Sequence, residues 1–215
     1  MDLIQSNGQP HYGRFSTLPK TIDLNKYQYK TPYGEVLKGW RKRLKYKKFK
    51  FCCIQHEHYT IGLAIADIAW AGHGFFYIYD HQRSEVLEWN AINFFSRHTV
   101  VDEQPLYNQS FFSKSPFQID IQHANGVRYI HVTKHGEIKL SARIFCAGTD
   151  PLSMCSPTGI NGWTYTQKLT TLGCEGFFMK LYGLALLIYK EAFTTQSCKL
   201  LGVSPTIDPR RATHA

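Results

Sequence analysis

No stretch of this chain is long and apolar enough to cross a bilayer as a helix. The longest unbroken apolar run, Leu181 to Tyr189 between Lys180 and Lys190, falls far short of the ~20 residues such a span needs. No basic-then-apolar leader is visible in MDLIQSNGQPHYG, and a cytoplasmic protein with reduced thiols is the expectation. The six cysteines, Cys52, Cys53, Cys146, Cys155, Cys174 and Cys198, include no C-x-x-C pair. None has the base-flanked setting of a catalytic thiolate beyond the sequence neighbours Lys50 and His56 of Cys52 and Cys53. Glycine-rich phosphate loops, dinucleotide fingerprints and G-x-S-x-G elbows are missing, so no cofactor is expected. Internal repeats are missing as well. Acidic residues are absent from Val36 to Gln55, where Lys38, Arg41, Lys42, Arg43, Lys45, Lys47, Lys48 and Lys50 gather. Those eight charges nearly account for the net +9 of the chain. A basic balance drawn from one segment argues against specific nucleic-acid recognition, which favours a face built from several elements. It reads as a solvated surface with its stems on Trp40 and Tyr46, and as a polyanion or membrane-surface binder in a third functional reading.

What is present is strand. In Tyr59 to Asp80, YTIGLAIADIAWAGHGFFYIYD, Ile61, Leu63 and Ile65 alternate with Gly62, Ala64 and Ala66, the period-2 signature of a half-buried strand. The phase shifts at Asp67, which suggests a bulge or bend. Ala71-Gly72-His73-Gly74 carries turn chemistry, and Phe75, Tyr77 and Tyr79 then share a face. A central hairpin is expected. Glu85 to Trp89 is a further short strand. Phe117 to Gln122, Val127 to Thr133 and Glu137 to Phe145, joined by Asn125-Gly126 and His135-Gly136, read as a three-stranded meander, Asn-Gly being the strongest short hairpin signal. Strands are also expected from Pro151 to Pro157, Trp163 to Lys168 and Leu172 to Phe178, while Leu181 to Phe193 is ambiguous. The expected division is an irregular arm and basic segment over 1–45, an antiparallel β domain over 46–195, and a disordered or poorly packed tail over 196–215.

Candidate chemistry is sparse. Asp67, within an apolar strand, is the weak candidate for a catalytic acid, set against capping of a bulge amide. His56 and His58, at i and i+2, share one face of a strand and form a weak candidate metal pair. The bare face Gly62, Ala64 and Ala66, the aromatic face Phe75, Tyr77 and Tyr79, and the stretch Trp163, Tyr165 and Lys168 are the candidate ligand-binding residues, since small-molecule pockets are mostly apolar with few polar groups.

Three stretches, GRFSTLP at Gly13 to Pro19, Tyr59 to Asp80, and PTGINGWTYTQK at Pro157 to Lys168, resemble in order and spacing the N-terminal part of the domain of unknown function 2804 family. The resemblance covers roughly Gly13 to Thr195. It implies distant kinship to lipocalin-like proteins such as hydroxyneurosporene synthase and tocopherol cyclase. It therefore implies an all-β antiparallel barrel or sandwich, with few or no helices, around an apolar pocket. Family members are longer, so the chain resembles a truncated member, and self-association through an uncovered edge is expected. The functional expectation is binding of an apolar small molecule, lipid or isoprenoid-like. The alternatives are an isoprenoid-modifying hydratase or cyclase, or a non-functional truncated member.

Overall fold

The computed structural model describes residues 1–103, 108–146, 151–171, 173–180, 183–189 and 192–200. Its elements run in chain order. β1 (Gly13–Phe15) and a short helix α1 (Gly39–Arg43) precede β2 (Tyr46–Gln55), β3 (Tyr59–Asp67), β4 (Ala71–Asp80) and β5 (Glu85–Phe94). β6 (Thr99–Val100), β7 (Asn108–Lys114), β8 (Phe117–Ala124), β9 (Val127–Lys134) and β10 (Glu137–Phe145) follow. The last five are β11 (Leu152–Pro157), β12 (Trp163–Thr170), β13 (Gly173–Lys180), β14 (Gly183–Tyr189) and β15 (Ala192–Leu200). The expected all-β class holds, as two antiparallel sheets rather than a closed barrel. One has the order β1-β11-β12-β15-β2-β3-β4-β5, the other β14-β13-β10-β9-β8-β7-β6.

Alternation decides which side chains fill the space between the sheets. Cys52, Ile54, Ile61, Leu63, Ile65, Phe76 and Ile78 from one sheet meet Phe112, Ile119, Ile121, Ile130, Val132, Leu140 and Ile144 from the other, all buried. Burial of a Leu- or Ile-sized side chain contributes about 1.5–3 kcal/mol, so this layer is the main source of stability. A second core lies under the N-terminal arm, where Leu3, Ile4, Phe15, Ile22, Leu24, Tyr27, Tyr29 and Leu37 pack on Tyr46, Cys155, Trp163 and Tyr165. The arm is thus a folded cover. β1 pairs with β11 in the register Gly13↔Cys155, and the Asn161 amide donates to the Lys30 carbonyl at 3.0 Å. The family-like stretches Gly13 to Pro19 and Pro157 to Lys168 meet at one sheet end for that reason.

The hairpin of Tyr59 to Asp80 forms, but its turn is Ile68-Ala69-Trp70, with Ala69 at φ 71. Ala71 to Gly74 are strand, not turn. Their glycines serve inter-sheet packing: a Cβ on Gly72 would meet Thr99 Oγ1 at 2.0 Å, and one on Gly74 would meet the Phe112 ring at 2.4 Å. β5 runs on to Phe94, well beyond Trp89, and α1 lies within the basic segment. The meander forms as β8, β9 and β10. The stretch Leu181 to Phe193, ambiguous in sequence, includes the edge strand β14, whose side chains lie outside the described residues. β15 pairs with both β12 and β2 and reaches Leu200, so the expected tail boundary at Gln196 falls inside a strand; 201–215 lie outside the described residues.

Asn125 and Gly126 adopt φ 52 and 74, the two positive values of a type I′ turn. Gly126→Val should lower stability by roughly 1 kcal/mol or more, because a β-branched residue is strained there. Chemical denaturation checks this, and an unchanged midpoint would count against the turn.

Candidate functional site

The expected binding residues of the central hairpin lie on the outer face of the eight-stranded sheet. Gly62, Ala64 and Ala66 stand opposite Tyr77, Phe75 and His73. A Cβ on Gly62 would meet the Tyr77 ring at 2.3 Å, so the room expected beside the bare face is taken by that ring. Phe49 and Phe51 stack with centroids 6.3 Å apart, Phe75 and Tyr77 at 6.4 Å, and Tyr79 follows on the same face. These rings form a half-buried aromatic layer outside the sandwich. Trp163 and Tyr165 are fully buried elsewhere, in the core beneath the arm, while Lys168 is exposed.

Asp67 is buried at the end of β3. One carboxylate oxygen accepts the Ala69 amide at 2.8 Å and the Ser96 hydroxyl at 2.6 Å. It thereby caps the tight turn, the alternative weighed for it in the sequence. His56 and His58 flank the β2–β3 turn with ring centroids 5.9 Å apart. His56 Nδ1 accepts the His58 amide at 3.2 Å. Among the described residues, no group of three His, Cys, Asp or Glu side chains is placed to hold a metal.

A cleft of about 1010 Å³ opens beside the N-terminal end of β2. Leu24, Tyr27, Leu37, Trp40 and Tyr46 supply its apolar and aromatic wall, and its charge is mixed, with Lys38, Lys42, Arg43 and Lys48 beside Glu103 and the sequence candidate Asp67. The Lys42 ammonium stands 5.9 Å over the Tyr46 ring, and burial pulls its pKa down. Lys48 pairs with Glu103 at 2.9 Å. The basic segment is therefore not one solvated run. Lys47 donates to the Ile68 carbonyl at 2.8 Å and Lys42 to the Asn25 carbonyl at 2.9 Å.

Sequence reading missed the residues next to this cleft. Tyr46, Lys48, Lys50, Cys52 and Ile54 alternate toward the sandwich interior. Lys50 is 0 % exposed. From the facing sheet, Arg128, 1 % exposed, precedes Ile130 and Val132 on the inward side of β9. The two cations influence each other: burial first, then the Arg128 charge, holds the Lys50 ammonium down at about 7, against smaller opposing pulls from Cys52 and Asp102. Arg128 bonds the buried Cys52 thiol, whose pKa burial nonetheless raises. Arg128 Nε and Nη1 find no hydrogen-bond partner among the described residues. His123 is Arg128's cross-strand partner and also buried. The signal that could have found these cations is the phase of alternation, carried back from Ile54 and Val132.

An antiparallel β sandwich with an amphipathic cleft at one end and buried cations inside it defines the class. The chain belongs to the family described as a domain of unknown function, DUF2804, whose model matches residues 2–192. No curated protein matches the chain. Among solved structures it is similar to kievitone hydratase from Nectria haematococca, with 11% identity, a TM-score of 0.41 and coverage of 74% of this chain and 48% of that one. A putative AttH from Nitrosomonas europaea shows 9% identity, a TM-score of 0.37 and coverage of 76% and 53%. The chain spans about half the length of each. Among the described residues, no helix is long and apolar enough to cross a membrane.

Proposed function

We propose that this domain binds an apolar small molecule, lipid- or isoprenoid-like, in the cleft beside β2. The observation that carries the reading is the wall of that cleft. The exposed Trp40 stands there over the edge of the core beneath the arm, formed by Leu24, Tyr27, Leu37 and Tyr46, and the cavity of about 1010 Å³ matches the upper range for small-ligand sites. Lys38, Lys42 and Arg43 on its rim favour a ligand with an acidic end, while Lys48 is already matched by Glu103. The outer aromatic layer of Phe75, Tyr77 and Tyr79 is flat and already packed on its own sheet, which supports it less well as a pocket. A hydratase or cyclase activity would need a protonated acid facing an apolar substrate. Asp67, the acid considered for it, is engaged by the Ala69 amide and the Ser96 hydroxyl, and binding is therefore the reading preferred here.

The test is titration with a fluorescent long-chain fatty acid. Trp40 is 72% exposed, so Trp40→Ala should leave the fold intact and weaken binding by about tenfold, the loss of an aromatic contact worth roughly 1.4 kcal/mol. Saturable binding that ignores Trp40 would move the ligand elsewhere, and no saturable binding would end the proposal.

A further inference from the structure

We propose that the end of the eight-stranded sheet around the cleft mouth docks on the surface of an anionic lipid bilayer. This goes beyond the cleft reading and stands without it. Strand register brings the parts together. The start of β2 meets the end of β3 at Lys48↔Asp67, the end of β3 meets the start of β4 at Asp67↔Gly72, and the start of β4 meets the end of β5 at Ala71↔Phe94. Helix α1 just ahead of β2, the turn after β3 and the turn after β5 therefore share one end. Each displays aromatic rings: Trp40, Trp70, Phe94 and Phe95 are all more than half exposed. The Phe95 amide donates to the Trp70 carbonyl at 2.7 Å, which joins the two turns, and Trp40, Asp67 and Ala69 line the cleft that opens here. Large apolar rings are normally buried. Phe95 is moreover held at φ 57, where a bulky residue is strained, and a strained, exposed apolar group points to function at that surface. Cations accompany the rings. Lys38, Arg41 and Arg43 surround Trp40 in the chain, and Arg97 and Lys114 share a hollow with Phe94 and Phe95. Acids nearby are already engaged, Glu35 by Arg41 at 3.3 Å, Glu103 by Lys48 at 2.9 Å and Asp67 by the Ala69 amide. Aromatic rings beside lysine and arginine suit the headgroup layer, where the rings sit at the interface and the cations meet anionic lipid. A single-stranded nucleic acid also takes rings and cations. The aliphatic neighbours Val36, Leu44 and Ile92, exposed as well, favour lipid: they stack on no base but enter the acyl boundary.

The test is sedimentation of the full chain with vesicles of phosphatidylcholine, alone or with about one third phosphatidylserine. Beside wild type it uses a ring variant, Phe94→Ala with Phe95→Ala, and a charge variant, Arg41→Gln with Arg97→Gln. All four positions stand outside the cleft lining. Wild type should bind the anionic vesicles at least about tenfold more tightly than the neutral ones, a preference that raised salt weakens. The charge variant should lose about twentyfold on anionic vesicles, each charge near the surface contributing about fivefold. The ring variant should lose about tenfold on both kinds, since what it removes is apolar contact. Brominated lipid should quench the tryptophan fluorescence of wild type, and that of Trp70→Ala less. Two variants on separate elements guard against one failing to fold. Failure to sediment with anionic vesicles, or binding that both variants leave unchanged, overturns the proposal. Tighter binding of single-stranded RNA than of vesicles, with no quenching by brominated lipid, overturns it in favour of a nucleic-acid surface. A dimer that the ring variant dissolves, with no vesicle binding, overturns it in favour of a second copy of the chain. Vesicle binding without fatty-acid binding leaves this surface standing and removes the cleft reading; the reverse removes this surface and leaves the cleft.

Discussion

Lys50→Met should raise the melting temperature of the ligand-free protein at pH 6 by roughly 5–10 °C, and by less as the pH rises toward 8.5. A buried ammonium of about 7 is well below the ~10.4 of an unfolded lysine. The folded state therefore releases a proton that the unfolded state keeps, throughout the window between those values. Stability rises with pH wherever the unfolded state binds more protons. Below about 7 both states hold the proton and the full penalty is present, on the order of 5 kcal/mol at most from the size of the shift. Methionine has a similar length and no charge, and replacing a buried ion by an apolar side chain is often stabilising. The thiols work in the opposite direction. Burial pushes Cys155 and Cys174 up to about 12 and raises Cys52 and Cys146 as well. Their contribution is present below the ordinary thiol value and is lost as pH climbs toward about 12. Wild type and Lys50→Met share Cys146, Cys155 and Cys174, whereas Cys52 loses the opposing pull of the Lys50 charge, so the comparison is made at pH 6 to 8.5, below the raised thiol values. A lower melting temperature for Lys50→Met at pH 6 would contradict the burial penalty argued from the lowered pKa.

That penalty also shows why the site was hard to read. In β2 two sets alternate, Phe49, Phe51 and Cys53 on one side and Lys48, Lys50, Cys52 and Ile54 on the other. By residue type alone the first set is the better candidate for the interior. The structure sends the second set inward, because Ile54 and Cys52 continue the layer of Ile61, Leu63 and Ile65, and Lys50 is carried with them. Where a segment obeys local rules the reading was direct. Asn125-Gly126 specifies its own turn, and the meander of β8, β9 and β10 follows from it. Where burial depends on a partner distant in sequence, it failed. Gly72 and Gly74 look like turn residues until Thr99 and Phe112 from the other sheet are placed on them. The stretch from Gln196 has no strong apolar pattern, yet as far as Leu200 it lies between β12 and β2 with a partner on each side. The arm from Met1 to Lys45 looked irregular because its order comes from contacts with Trp163 and Tyr165 rather than from its own periodicity.

Gly176→Ala is expected to be the most damaging single-methyl change in the chain described here, with a loss on the order of 3 kcal/mol or more. Gly176 sits in the middle of β13 at φ +151, opposite Ala142 of β10. A Cβ there would lie 2.1 Å from the Ser141 carbonyl oxygen and 2.7 Å from the Ala142 Cα. Both are main-chain atoms of a hydrogen-bonded neighbour, so no rotamer change relieves the contact. β10 and β13 would have to separate locally, breaking ladder bonds and disturbing Leu140, Ala142 and Ile144, which belong to the main core. A glycine inside a strand ordinarily marks such a close backbone approach, and ordinary Gly→Ala exchanges gain stability by restricting the unfolded chain. Here the steric term opposes that gain and exceeds it. Gly136→Ala is a control: its φ of +79 is left-handed, but a Cβ there meets nothing within 4 Å, so its loss should stay near 1 kcal/mol. Urea unfolding of the two variants beside wild type measures both. Equal losses at the two positions would show that left-handed backbone alone accounts for the effect, and a Gly176→Ala protein as stable as wild type would exclude the close strand contact.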